Sequence, residues 1–214
     1  LHVAVFQDTL DQEPTPESLP GHPVYTFRME NEVILRLLET MEETLHKWED
    51  GDSNALTSLI KQTENLGALE KHYSRKENIL FPYLEKKGFE GPATVMWGVD
   101  NEIRTQIKMF KESILDPEPD VIEATKYFET MSDNIVEMVY KEEKILFPAA
   151  LDRLTEQEWA EIRNQEAEIG FVGVEVGDEW QAQAEAVVAE PEASPATDPS
   201  SLAEELISLS TGAL

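Results

Sequence analysis

An eight-residue motif occurs twice in this chain and restricts what the chain can fold into. Residues 75–82 read Arg-Lys-Glu-Asn-Ile-Leu-Phe-Pro, and residues 141–148, 66 positions further on, read Lys-Glu-Glu-Lys-Ile-Leu-Phe-Pro. In each copy a carboxylate, Glu77 or Glu143, lies about one helical turn before an apolar core segment. The duplication predicts two matching helical hairpins that bring both acids toward the interior at the same height.

Apolar residues recur at three- and four-residue intervals along four stretches, which is the pattern of amphipathic helices. The predicted helices cover about residues 23–50, 54–87, 92–115 and 121–151. Their short connections favour an all-α fold, an antiparallel up-down four-helix bundle. The capping-box order of residues 155–158 predicts a short fifth helix. The residues expected in the core include Phe27, Ile34, Tyr73, Leu80, Ile103, Phe110, Ile135 and Leu146.

The chain is expected to divide into three parts. Residues 1–21 are an N-terminal segment and linker, residues 22–171 are the bundle, and residues 172–214 are a flexible acidic tail. Within the tail, residues 172–180 are expected to be extended, and residues 181–200 have too little apolar surface to offset ordering entropy. Because the first residue is Leu, we expect the sequence to be a segment of a longer protein.

Composition excludes several kinds of partner. The formal net charge is −27, from 44 acidic and 17 basic residues, which argues against nucleic acid and anionic membranes. The sequence has no apolar run of about 20 residues and no signal-peptide pattern, so a cytoplasmic location is expected. Cysteine is absent, so any metal would be held by imidazole, carboxylate or water.

Several polar residues fall at or beside core positions of the predicted helices. They are Asn31, His72, Glu77, Asp100, Glu142 and Glu143. A buried carboxylate costs several kcal/mol unless it is paired or bound to a metal, so these acids need a counter-charge. A bound cation would supply it. Salt bridges to nearby basic residues would supply it equally well, and the candidates are Arg28, Arg75, Lys76, Lys141 and Arg104. The pair Glu43 and His46 lies off the apolar stripe and is expected to face solvent.

The segment from His72 to Glu77, followed by Ile-Leu-Phe-Pro, and the second Glu-Glu-x-Ile-Leu-Phe-Pro copy resemble a hemerythrin-like, or HHE cation-binding, domain. The resemblance spans residues 22 to about 171. It is closest to a subgroup in which the bundle lies between an N-terminal domain of unknown function and a C-terminal PAS sensor domain. The stretches that resemble this subgroup are residues 1–6, 21–27, 96–100 and 209–214.

The resemblance implies a hemerythrin-like bundle that holds non-haem iron, mononuclear or dinuclear, or another divalent metal. Carried onto this chain, the implied metal ligands are His22, Glu30, His72, Glu77, Asp100 and Glu143, with His2, Glu142 and Glu102 as secondary candidates. The chain also departs from the family pattern. Asn31 stands where a ligand histidine is expected, Met138 matches the place of His72, and Lys76 occupies the acid position of His-x-x-x-Glu.

These observations support three hypotheses about function. The first is a cytoplasmic metal-binding sensory or regulatory module, with oxygen, nitric oxide, redox state or iron as the signal and a small diatomic molecule as ligand. The second is a metal-free bundle that serves as a protein-interaction or dimerisation spacer, in a homodimer or beside a sensor domain. The third is a di-iron enzyme acting on peroxide, nitric oxide or damaged iron centres. No nucleophile–base pair or phosphate-binding loop is visible in the sequence, which favours a module that is not an enzyme.

Overall fold

The computed structural model describes residues 15–182. Within that range the chain forms helices joined by short connections. They are α1 (Pro23–Glu49), α2 (Ala55–Leu66), α3 (Leu69–Arg75), α4 (Phe81–Lys86), α5 (Glu90–Ile114), α6 (Val121–Lys141), α7 (Phe147–Arg153) and α8 (Glu156–Ile169). Two π-helical segments, Lys76–Leu80 and Glu142–Leu146, join α3 to α4 and α6 to α7. A single turn of 3₁₀ helix, Pro16–Ser18, precedes α1.

These elements make the four long helices of a bundle, as the apolar spacing predicted. The first is α1, the second runs from α2 to α4, the third is α5, and the fourth runs from α6 to α7. Each packs against its neighbour in sequence, and the fourth returns to pack against the first. All eight residues expected in the core are buried. No helix within residues 15–182 is long and apolar enough to cross a membrane.

The π-helical segments arise where each copy of the motif ends in proline. Pro82 and Pro148 have no N–H, so the carbonyl four residues before each of them receives no helical hydrogen bond. The helix widens just before each proline, and the N–H of Phe81 donates to the carbonyl of Lys76, five residues back. In the second copy the N–H of Phe147 donates to the carbonyl of Glu142. The duplicated sequence therefore produces a duplicated backbone feature.

The chain after the fourth helix folds back onto the bundle. Thr155 and Glu158 form the expected capping box at the start of α8, which packs against α1, α3 and the first π-helical segment. Residues 170–182 form no helix or strand, and the N–H of Trp180 donates to the carbonyl of Pro20 at 2.9 Å. Most of the predicted tail, residues 183–214, and most of the N-terminal segment, residues 1–14, lie outside the described range, so the division into three parts stays a prediction.

Equivalent residues of the two motif copies differ in burial, which allows a matched test of the core. Ile79 is 6% exposed, whereas Ile145 is 46% exposed. We expect Ile79→Ala to lower the free energy of unfolding by about 2–5 kcal/mol, because it removes buried methyl groups and leaves a cavity. Ile145→Ala should lower it by less than about 1 kcal/mol. Urea unfolding of both variants makes the comparison, and equal losses would show that burial does not distinguish the two positions.

Candidate functional site

His72 lies inside the bundle, fully buried between two acids. Its Nδ1 is 2.8 Å from Oε2 of Glu30 on α1, and its Nε2 is 3.1 Å from Oε2 of Glu142 in the second π-helical segment. Burial alone would lower the pKa of His72, but the carboxylates of Glu142 and Glu30 outweigh it and raise the pKa above its usual value. The ring is therefore favoured as an imidazolium that donates through both nitrogens. A nitrogen that carries a proton has no lone pair for a metal ion.

Lys76 lies one turn after His72 and is also fully buried. Its Nζ is 2.9 Å from Oδ1 of Asp100 on α5 and 2.5 Å from Oε1 of Glu142. The ammonium also lies over the ring of Tyr73, 4.3 Å from the centroid. Burial alone would lower the pKa of Lys76, but Glu142 and Asp100 outweigh it and raise the pKa. The second, third and fourth helices thus meet at one buried cation.

The two acids that share Lys76 are stabilised unequally. Burial raises the pKa of Glu142, but Lys76 and His72 overcome that effect and lower the pKa to about 2. For Asp100, burial prevails over the attraction of Lys76, and the pKa rises to about 7. Within residues 15–182 the Oδ2 atom of Asp100 has no hydrogen-bond partner. Glu142 is therefore the acid of the pair that stays ionised, and Asp100 is the acid whose ionised form is less well stabilised.

Arg75 connects this core to the segment that comes after α8, residues 170–182. Its guanidinium binds both carboxylate oxygens of Glu30 and donates to the carbonyl of Gly170 at 3.2 Å. It also lies between the rings of Phe27 and Phe171, 4.7 and 4.6 Å from their centroids. Oε1 of Glu30 accepts a second contact, from the N–H of Val172 at 2.7 Å. Buried charges of the bundle thus hold the start of the C-terminal segment in place.

The bases at the centre of this buried cluster are matched by an equal number of paired acids. Three basic side chains, His72, Arg75 and Lys76, contact three acids, Glu30, Asp100 and Glu142. A fourth acid, Glu166, lies with its Oε1 3.7 Å from Nε of Arg75. Burial raises the pKa of Glu166 to about 7 against the attraction of Arg75. We call these seven side chains the buried ion-pair network.

Of the two acids that the repeat singled out, Glu143 lies outside this network. Glu77 lies at its edge beside Asp100, and after burial its carboxylate also raises the pKa of Asp100. Arg104 on α5 binds both oxygens of Glu77, at 2.8 and 3.0 Å. Oε2 of Glu143 accepts from Nε of Arg28 at 3.1 Å, and its Oε1 is 3.4 Å from Nδ2 of Asn31. The structure therefore places Lys76 and Glu142, one residue earlier in each copy, where the sequence predicted Glu77 and Glu143.

His22 caps the first residues of α1 instead of contacting the network. Its Nδ1 accepts a hydrogen bond from the N–H of Val24 at 3.1 Å, and its ring lies between those of Trp159 and Trp180. Burial lowers the pKa of His22 to about 4, so the ring is neutral.

The other proposed ligands do not join the network. Glu102 is exposed, and His2 lies outside the described residues. Glu43 and His46 are exposed, as predicted. The structure therefore brings together Glu30, His72, Asp100 and Glu142 of the predicted set, and as metal ligands they stay a prediction.

Sequence reasoning named Arg75 and Lys76 among alternative salt-bridge partners and noted Lys76 at the acid position of His-x-x-x-Glu, but it missed Glu166. One signal was present. Lys76 and Glu142 occupy equivalent positions of the repeated motif, 66 residues apart, and carry opposite charges. Equivalent positions of two matching hairpins lie at the same height, which makes an ion pair across the core the simplest arrangement for them. Nothing comparable in the sequence indicated Glu166.

The model of one protein family matches this chain. It is the hemerythrin HHE cation-binding domain, and it matches residues 22–150, more than half of the chain. The chain belongs to this family, whose domains bind metal ions, typically iron. A comparison with curated proteins found no match.

The donor set of this chain does not fit a metal ion as the side chains stand. Both nitrogens of His72 are engaged by acids, and Lys76 lies between Asp100 and Glu142. In the part of the chain that the structure describes, no three His, Asp or Glu side chains are grouped so that they could hold a metal ion. A divalent ion at this place would have to displace the Lys76 ammonium from both of its carboxylates.

Glu166 gives a test of the buried charges through pH. Its pKa of about 7 lies above its usual value, so the folded state keeps a proton that the unfolded state has released. The stability that this proton provides is complete below pH about 4.5 and is lost as the pH rises through about 7. We expect Glu166→Gln to raise the free energy of unfolding by about 1–3 kcal/mol at pH 8 and by much less at pH 5.

The control for this variant is Glu168→Gln, which changes an exposed acid on the same helix. It should alter stability by less than about 0.5 kcal/mol at either pH. Neither oxygen of Glu166 has a hydrogen-bond partner within residues 15–182. The side-chain amide of Glu166→Gln therefore gives up no hydrogen bond that the carboxylate makes. A loss of stability in Glu166→Gln at pH 8 would show that the ionised acid is needed beside Arg75.

Proposed function

We propose that this chain is a regulatory helical module, not an enzyme, whose core is held by a buried ion-pair network in the place of a metal ion. The position of Lys76 carries this proposal, because its ammonium binds Asp100 and Glu142 while His72 donates to two acids. Every carboxylate that converges on the core, Glu30 included, already has a basic partner. Such a core has no free ligand position through which it could bind oxygen or nitric oxide.

The contacts of Arg75 and Glu30 support a role in positioning the chain beyond the bundle. They fix the carbonyl of Gly170 and the N–H of Val172, at the point where the chain leaves α8. A change in the bundle core would reach this exit segment through these two hydrogen bonds. We therefore propose that the bundle acts as an interaction or spacer element that positions a neighbouring domain or partner. A cytoplasmic setting is part of this proposal.

A metal-binding sensor is the second candidate, and family membership favours it. Its ligands would be His72, Glu30, Asp100 and Glu142, and iron would supply the binding of oxygen or nitric oxide, or the redox response. For this function Lys76 would have to leave its two carboxylates and His72 would have to lose a proton. The two candidates differ in whether the folded protein contains a metal.

Metal analysis of the whole chain, purified without a histidine tag, separates the two candidates. We expect far less than one equivalent of iron, manganese or zinc per chain and no change in Tm on addition of a chelator. An ion that binds only the folded state would stabilise it by about 2.7 kcal/mol at a hundredfold excess over its Kd, so its loss would be visible. One equivalent of metal, removed by the chelator with a fall in Tm and absent from His72→Ala, would support the sensor instead.

Arginine variants test the link between the core and the exit segment. We expect Arg75→Met to lower the free energy of unfolding by about 3–5 kcal/mol, since Glu30 is left buried without its main partner. Amide exchange should also accelerate, relative to the wild type, more in residues 170–182 than in α5, because the exit segment loses its attachment. Arg36→Met is the control at an exposed salt bridge and should cost less than about 1 kcal/mol. Unchanged exchange in residues 170–182 would contradict the link.

A further inference from the structure

A groove with a volume of about 360 Å³ lies between the second and third long helices. The second helix supplies carboxylates and an aromatic ring to it, and α5 supplies small residues and an indole. The lining residues are Glu77, Phe81, Glu85, Ala93, Thr94 and Trp97. Phe81 and Ala93 are buried and form the floor, whereas Trp97 is 53% exposed. The groove therefore combines an apolar floor, an aromatic wall and acids, at a place that solvent reaches.

Just beyond one end of the groove, a guanidinium of this chain already joins the two helices. Arg104 of α5 reaches across to Glu77 and donates to both of its oxygens, at 2.8 and 3.0 Å. Trp97 lies about two helical turns before Arg104 and on the same face of α5, because seven residues at about 3.6 per turn return to nearly the same direction. Glu85 lies further along the second helix and lines the same groove. This part of the groove thus offers a carboxylate and an indole where the other end has a carboxylate and an arginine.

Neither the carboxylate nor the indole has a basic partner within residues 15–182. Glu85 is exposed and takes part in no salt bridge there. No cation of that range lies over the ring of Trp97. The neighbouring Lys86 points elsewhere, with its Nζ over the ring of Tyr83. Because indole attracts cations better than the other side-chain rings do, a cation bound here would contact an aromatic face and a carboxylate together.

We propose that this groove is the docking site for an arginine side chain of a partner protein, which stacks on Trp97 and pairs with Glu85. The inference rests on the interaction role proposed above and names the chemistry of the partner. A guanidinium is planar, so it can lie flat on an indole while its edge donates two hydrogen bonds to a carboxylate. The contact of Arg104 with Glu77 shows this two-point pairing within the chain itself.

The surroundings of the groove favour a protein over a free guanidinium compound. Val95, which follows Thr94 on α5, is 62% exposed, so apolar surface extends beyond what a small ion would cover. A Cβ atom added at Gly91 or Gly98 would meet nothing within 4 Å, so there is room for a peptide backbone to approach α5 closely. Tryptophan and arginine are among the residues that contribute most to protein interfaces. The net charge of −27 also attracts a basic partner.

The test uses the whole chain and the capped peptide Ala-Ala-Arg-Ala-Ala as the probe, at about 0.15 M salt. NMR titration should show a saturable shift of the indole N–H signal of Trp97. The same peptide with citrulline, which keeps the shape of arginine without its charge, should bind at least about 10-fold more weakly. Butylguanidinium should also bind more weakly than the arginine peptide. An equal affinity would mean that a small cation is enough and would overturn the assignment to a protein partner.

Variants show whether the named side chains hold the arginine. Trp97→Leu should weaken binding by about 3–10-fold and Glu85→Gln by about 2–5-fold, measured from the arginine signals of the peptide. Trp97→Tyr keeps an aromatic face and should keep most of the affinity. Glu64→Gln makes the same change in net charge at an exposed acid of the same long helix and should bind as the wild type does. If Trp97→Leu loses its helical circular dichroism, Glu85→Gln decides the question, because that side chain is exposed.

Two results would overturn the inference: no saturable shift of the Trp97 indole signal, or wild-type affinity in the folded Trp97 and Glu85 variants. Neither result decides the proposed function, which is tested by metal content and by amide exchange of residues 170–182 in Arg75→Met. Conversely, a stoichiometric metal in the wild type would contradict the proposed function while the Trp97 signal still reports on the groove. The two failures are therefore distinguishable in one preparation of the protein.

Discussion

The contact between Lys76 and Glu142 is the interaction on which the rest of the core depends. Each residue holds a further polar partner, Asp100 beside Lys76 and His72 beside Glu142. Removing such ions from water costs several kcal/mol each, and mutual pairing offsets that cost only when every partner is present. These pairs therefore favour the register that brings the second, third and fourth helices to the same point.

The two π-helical segments place these side chains. The carbonyls that accept the π-helical hydrogen bonds, from N–H groups five residues later, belong to Lys76 and Glu142. These are the same residues whose side chains pair across the core. Pro82 and Pro148 withhold a donor in each copy, and the helix adds one residue to the turn. The π-helical turns and the Lys76–Glu142 ion pair thus lie at the same level of the bundle. The duplication preserves the backbone feature while the side chains have become opposite in charge.

The sequence predicted the fold far better than the site, for a physical reason. The apolar pattern of a helix repeats every 3.6 residues over twenty or more positions, so misreading one position does not change where the helix is predicted. The site depends on single positions, and one residue is a rotation of about 100° around a helix. The neighbours Lys76 and Glu77 are both charged, and only packing decides which one faces inward. The extra residue of the π-helical turn shifts that choice further. Glu166 comes from a helix outside the four-helix pattern, so no spacing rule relates it to Arg75.

A lysine and a metal ion solve the same electrostatic problem in different ways. Either one neutralises carboxylates that converge inside a bundle. A metal ion can exchange, change its ligands and, for iron, change its oxidation state, whereas an ammonium is covalently attached and does none of these. In this chain a covalently attached ammonium, that of Lys76, pairs with Asp100 and Glu142 in the core. The same network extends to the exit segment, which Arg75 and Glu30 hold through the carbonyl of Gly170 and the N–H of Val172.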